Sequence, residues 1–311
     1  MGNKGSVVGF SSNFLNIAMC PGESMKTLIT GASGFVGRQL IKELRQQTEH
    51  ELFGISRHHQ NSTQNLKWLK GDLNDFSFVK SLSALGFEKV FHLSWEGLPD
   101  RGKHFSQINL ENSIKFLKTI SGTKRVELNI IGSCLEYGSI TGPVRDSEIP
   151  KGNDDFALAK IAIHEFTKSL GVPYRWYRPF YIFGIGQSPK SLIPSIITAL
   201  SAGNDIEVNA INNSHDFISV DDLARAIAIS STNSSILGEL NIGTGELTCV
   251  GDILKEFHGY YGRKFTQAYS HNPGLFAKPD VLLNDLHWKP TYVGAQGIID
   301  YFKANLAKPS A

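Results

Sequence analysis

Short apolar, β-branched runs alternate along the chain with stretches whose apolar positions recur at helical spacing, beginning at Lys26. The runs Thr27–Thr30, Leu52–Ser56, Leu66–Lys70, Lys89–Leu93, Val126–Ile131 and Tyr174–Tyr177 predict strands. Helices are expected between them, over Gly34–Gln47, Phe76–Leu85, Phe105–Ile120 and Asp155–Leu170. The last of these carries Phe156, Ala159, Ile163 and Phe166 on one side, with Asp154 or Asp155 as its cap. Strands that alternate with helices imply a parallel sheet covered by helices. Beyond Pro179 the pattern loosens into loops over Gly184–Lys190 and Gly203–Ser214 and helices over Leu192–Ala202, Val220–Ser230 and Val250–Phe257. We read 25–178 as one domain and 179–311 as a smaller lobe, with a segment near 215–231 returning to the sheet.

Residues 1–24 show no period and read as a flexible leader. Their opening MGNKGS fits the pattern for acylation at Gly2. The 311 residues are 41% hydrophobic and 19% charged, enough for a sizeable core, with 31 Lys and Arg against 29 Asp and Glu. No basic stretch alternates with aromatics, so the expected partner is a small molecule and not nucleic acid. No apolar run approaches the ~18–20 residues of a membrane span. Cys20, Cys134 and Cys249 are scattered and odd in number, which argues against a disulfide framework or a CxxC metal site. A cytoplasmic setting without a metal is expected.

Gly31-Ala32-Ser33-Gly34-Phe35-Val36-Gly37 follows the first strand and opens the first helix. Glycines there permit a tight turn and close backbone approach, and the helix N-terminus offers free N–H groups to a diphosphate. Gly31, Ser33, Gly34, Phe35, Val36 and Gly37 are therefore the candidate dinucleotide cradle of a Rossmann-type doubly wound sheet. Where NAD binders place an acidic residue on the ribose, the second strand ends in Ser56-Arg57. Arg57 suits a 2′-phosphate and Ser56 can donate to it, so NADP(H) is expected, with NAD as the alternative. Asp72 and Leu73 follow the third strand and are placed to meet the adenine edge.

From Lys26 to about Tyr301 the chain resembles the extended short-chain dehydrogenases/reductases (the NAD-dependent epimerase/dehydratase family), whose members mostly act on nucleotide sugars. The resemblance is carried by TGASGFVG (30–37), GDLND (71–75), FHLSW (91–95), IGSCLEYG (131–138), FALAK (156–160), RPFYIFGIGQ (178–187), HDFISVDDLA (215–224), NIGTGE (241–246) and LHWKP (286–290). It implies a catalytic Ser at Ser133 and a YxxxK helix whose Lys is Lys160. The Tyr of that motif falls on Phe156. A phenol with a lowered pKa would protonate the sugar oxygen as hydride arrives, and Phe has no hydroxyl to do so. Phe156 is thus an engineered substitution, or a natural one with Ser133, a water or another tyrosine taking over, or the mark of a chain that lost the redox step. The resemblance completes the coenzyme set with Leu93, Ser94, Phe180 and again Lys160.

It also sorts the reactions. The 4,6-dehydratases of the family need an Asp-Glu pair where this chain has Cys134 and Leu135. Its epimerases hold NAD tightly, whereas Ser56-Arg57 points to an exchangeable NADP(H). What remains is similar to the nucleotide-sugar 4-ketoreductases of bacterial deoxysugar pathways, with a non-catalytic NADP(H)-binding protein and an NAD-retaining epimerase as alternatives. The substrate set implied is Trp95 and Glu96 after the fourth strand, Tyr181, and Gln187, Lys190 and Leu192. It ends with His215, which stands where the family places a phosphate-binding Arg. Helices equivalent to Phe105–Ile120 and Asp155–Leu170 pair in family dimers, so a homodimer is expected.

Overall fold

The computed structural model describes residues 24–47, 50–98, 101–123 and 126–306, so most of the leader lies outside the described residues. In chain order the first half gives β1 (Met25–Thr30), α1 (Phe35–Leu44), β2 (His50–Ser56), β3 (Leu66–Lys70), α2 (Phe76–Leu82), β4 (Lys89–His92), α3 (Lys103–Ile120) and β5 (Glu127–Ile131). There follow β6 (Gly142–Arg145), α4 (Asp155–Ser169), β7 (Tyr174–Pro179), β8 (Tyr181–Phe183), α5 (Leu192–Ser201), β9 (Ser214–His215), β10 (Phe217–Ser219) and α6 (Val220–Thr232). The chain ends with β11 (Gly238–Ile242), β12 (Thr248–Cys249), α7 (Val250–Tyr260), β13 (Leu275–Lys278), α8 (Asp280–Asn284) and α9 (Gly294–Leu306).

Seven strands form one parallel sheet in the order β11-β7-β5-β4-β1-β2-β3. The order reverses between β1 and β4, and in such sheets the crevice for a ligand opens at the carboxyl ends of the strands flanking the reversal. Strand residues are buried on both faces because both are covered. Ile29, Leu40, Ile41, Leu44, Ala224 and Ile227 join α1 and α6 on one side. Leu28, Phe116, Leu117, Ile120, Ile163 and Trp176 join α3 and α4 on the other. The smaller lobe packs α5, α7 and α9 around Ile196, Ile253, Phe257 and Phe302.

The 215–231 segment supplies α6 against α1, and the strand that completes the sheet comes later, as β11 against β7. Asp154, not Asp155, caps α4: its carboxylate accepts the Ala157 N–H at 2.7 Å. The lobe gains three two-stranded pairings, β8 with β10, β9 with β12 and β6 with β13, that no local pattern announces. Among the described residues no helix is long and apolar enough to cross a membrane.

Candidate active site

A cavity of about 650 Å³ opens at the carboxyl ends of β1 to β5, where the sheet order reverses. Its floor is the glycine turn. Gly31 has φ +66°, and a Cβ there would lie 2.8 Å from the Ser94 nitrogen. A Cβ on Gly37 would lie 2.2 Å from the Gly31 carbonyl oxygen. Gly34 is the N-cap of α1, which has no side-chain cap and no acidic residue in its first turn. The first bond into the helix runs from Arg38 N–H to Gly34 O, so the amides of Phe35, Val36 and Gly37 precede the helical ladder. Those three residues with Gly31, Ser33 and Gly34 all line the cavity. A diphosphate fits this cradle: N–H groups and helix dipole point at it, and no carboxylate competes.

At one end of the cavity stand Ser56, Arg57, Asp72 and Leu73. Ser56 Oγ accepts from His58 N–H at 3.2 Å, which leaves its own hydrogen free to donate. Asp72 is half committed, since one carboxylate oxygen accepts the Asn74 N–H at 2.9 Å. Arg57 is paired with Glu96, Nη1 to Oε1 at 2.9 Å. Glu96, expected with the substrate, also lines the cavity, and here its carboxylate meets Arg57.

The other end holds Ser133, Phe156, Lys160, Trp95, Leu93, Ser94 and Phe180. Ser133 is the N-cap of a short 3₁₀ turn, where its Oγ accepts Leu135 N–H at 3.2 Å. Capping a turn and acting on a substrate are compatible here, because the cap uses only the oxygen. Lys160, 5% exposed, donates from Nζ to the Ile131 carbonyl at 2.7 Å and sits 4.2 Å from the Trp95 ring centroid. Phe156 meets Trp95 edge-to-face at 4.9 Å, within the first turn of α4 and one turn before Lys160. Trp95 Nε1 and Gln187 Oε1 are buried without a partner, and both residues line the cavity, so a ligand there would find a donor and an acceptor waiting.

Sequence reasoning missed two supports of this end. His92 links Thr30 Oγ1 (2.9 Å) to Ser113 Oγ (3.0 Å), tying the end of β1 to α3. Burial, helped by the Lys160 charge, pushes its imidazole down to about 3, so the ring is a neutral bridge. Glu136 lies fully buried beneath Ser133, accepting from Ser133 N–H (2.8 Å), Trp176 Nε1 (3.0 Å) and Arg178 Nε (2.8 Å). Both residues stood inside quoted motifs, FHLSW and SCLEYG, without a role. Tyr137 is closed off as a substitute acid, since its hydroxyl donates to Asn241 Oδ1 at 2.7 Å and accepts from Arg178.

On the substrate side Tyr181 and Gln187 line the cavity, while Lys190, Leu192 and His215 do not. Lys190 is exposed, and Leu192 packs against the core of the lobe. The His215 ring stacks on Tyr181 at 3.9 Å, and burial lowers its pKa, so its contacts here are those of a packing group. Asp216 beside it is spent on the amides of Thr244, Gly245 and Ala277. Among the described residues Cys249, Asp252 and His271 bring ligand-type atoms together, but Asp252 is held by His271 and Tyr269, and the thiol donates to Ile211 O.

The Lys160 ammonium is pushed down from 10.5 to about 7, by burial and against the pull of Glu136. In the unfolded chain the same group keeps its proton to the higher value. Between the two the unfolded state binds more protons, so this lysine makes stability rise with pH across that window. Urea unfolding followed from about pH 6 to about pH 10 should show that rise in the wild type and lose it in Lys160→Met.

A family model described as "NAD dependent epimerase/dehydratase family" matches residues 27–243. An uncharacterized protein of Sinorhizobium fredii is 27% identical over 253 residues, 78% of this chain. The match covers 63% of that protein, under two thirds of its length. The dTDP-4-dehydro-6-deoxyglucose reductase of Escherichia coli is 22% identical over 313 residues, covering 89% of this chain and 96% of the reductase. The structure of a UDP-glucose 4-epimerase of Thermotoga maritima, with UDP-glucose, superposes with TM-score 0.77 at 20% identity, over 91% of this chain and 100% of the epimerase. At that identity the likeness is one of fold.

Proposed function

Because the chain belongs to the NAD dependent epimerase/dehydratase family, we propose that it reduces a keto group on a nucleotide-activated deoxysugar with NADPH. One observation carries this reading: the glycine turn, Ser133 and Lys160 line a single cavity at the switch point of the sheet. The coenzyme, when bound, supplies hydride. Ser133 orients the keto oxygen and donates a hydrogen bond to it, the hydroxyl hydrogen being left over once Oγ has accepted from Leu135. Lys160 is the ionisable group of that wall poised near neutrality, and it restores the proton that the new alkoxide takes. Trp95 and Phe156 keep water from the reacting atoms. Ser56 and Arg57 receive the 2′-phosphate, and Asp72 the adenine.

A second reading, a non-catalytic NADP(H)-binding protein, is favoured by Phe156 alone. Tyr181 lines the cavity, but burial pushes its hydroxyl up to about 12, too weak an acid to stand in. The proposal includes a homodimer through α3 and α4, whose outer surface leaves Leu158 exposed, and a cytoplasmic setting.

The test is thermal unfolding with and without NADPH. Ligand at a hundredfold over Kd stabilises by about 2.7 kcal/mol, several degrees at this size. In Gly37→Val the added side chain meets the Gly31 carbonyl, and the shift should vanish. No shift in the wild type with either NADPH or NADH would end the dinucleotide reading. Light scattering on the same sample should give twice the 34.3 kDa chain mass, and a monomer mass would remove the dimer.

A further inference from the structure

We infer that Glu96 sets the discrimination between NADPH and NADH, by occupying the guanidinium that a 2′-phosphate needs. This rests on the coenzyme reading above and deepens it. Arg57 follows the last residue of β2, and Glu96 comes 39 positions later, in the loop after β4. Their 2.9 Å contact therefore joins two loops over the mouth of the cavity.

Glu96 is held there by its backbone. Its N–H donates to Asn109 Oδ1 at 2.8 Å, and its carbonyl accepts from Asn109 Nδ2 at 2.9 Å. Asn109 lies buried on α3 and also donates to the Phe105 carbonyl at 2.7 Å, so the clamp has little play. The second carboxylate oxygen accepts from Asn74 Nδ2 at 3.4 Å. Between them these contacts aim the carboxylate across the space where the second and third strands end.

The consequence is electrostatic. A phosphate reaching Arg57 meets a guanidinium already neutralised and a carboxylate of its own sign, and like charges at short range oppose binding. A ribose with a free 2′-hydroxyl meets the same carboxylate as a hydrogen-bond acceptor. Glu96 thus opposes NADPH and assists NADH, while Arg57 and Ser56 do the reverse. With side chains 58% and 38% exposed, the pair is open to water, so a phosphate can part it. The product is a coenzyme site that takes both forms, with Arg57 favouring the phosphate and Glu96 the free hydroxyl.

The experiment titrates NADPH and NADH into the wild type, Glu96→Gln, Arg57→Ala and the double variant, with Kd from calorimetry. In Glu96→Gln the NADPH Kd should fall about tenfold, the size of one charge-assisted contact regained. The NADH Kd should stay level or rise, so the preference for NADPH grows. Most of that growth should be lost in the double variant, which lacks the guanidinium. An unchanged NADPH-to-NADH ratio in Glu96→Gln, with both coenzymes bound, overturns this inference and leaves the proposed function standing. Failure of the wild type to bind either coenzyme overturns both.

Discussion

Phe156→Tyr is expected to raise turnover of a 4-keto-6-deoxy nucleotide sugar by about 10²–10⁴, the usual worth of one positioned general acid. The change adds one oxygen to a ring that already lines the cavity, so no core contact need be rebuilt. Its surroundings suit a phenol. The Lys160 Nζ lies 5.8 Å from the Phe156 ring centroid, and a cation at that range lowers the pKa of a new hydroxyl. The lysine titrates near neutrality, so the assistance is strongest on the acid side of about 7 and fades above it. Kinetics should show the gain in kcat, with KM and coenzyme affinity little moved, because the hydroxyl acts on the transition state. Coenzyme binding without turnover in Phe156→Tyr, across a panel of keto sugars, would sink the reductase reading in favour of a binding protein.

The parts of this site legible in the sequence are those fixed by neighbours in the chain. A strand, a glycine bend and an uncapped helix start lie within one continuous stretch from Met25 to Leu44. Periodicity likewise marked α3, α4 and six of the seven sheet strands to within a few residues, since each buries its own apolar stripe. What escaped depends on residues far apart. The Arg57–Glu96 pair spans 39 positions and Arg178–Glu136 spans 42, and no local pattern encodes either. Analogy also read His215 without its neighbour: the resemblance implies a phosphate ligand there, but the ring stacks on Tyr181 outside the cavity lining. The strand β11 escaped for a different reason, having only Leu240 and Ile242 as apolar anchors.

Glu136→Ala should cost about 3–5 kcal/mol of folding stability, the usual price of stranding one member of a buried ion pair. The Arg178 guanidinium is 1% exposed and Trp176 is fully buried, so neither could recruit bulk water once the carboxylate is gone. That loss is a large part of the about 5–15 kcal/mol that holds a typical protein folded. Chemical denaturation would measure it, and a variant within about 1 kcal/mol of the wild type would show that the pair does not carry the region. Glu136→Gln keeps an acceptor for Trp176 and Ser133, and so should lose less. The two variants also differ in what they do to the site. The Glu136 charge is the influence that raises the Lys160 pKa against burial. Removing it by either substitution drives the lysine further toward its neutral form, so the alkaline limb of any turnover should move to lower pH in both. Only Glu136→Ala also frees the Ser133 amide, which the carboxylate holds at 2.8 Å. A loss of kcat that is larger in Glu136→Ala, beside an equal pH displacement in the two, would separate the positioning of Ser133 from the tuning of Lys160.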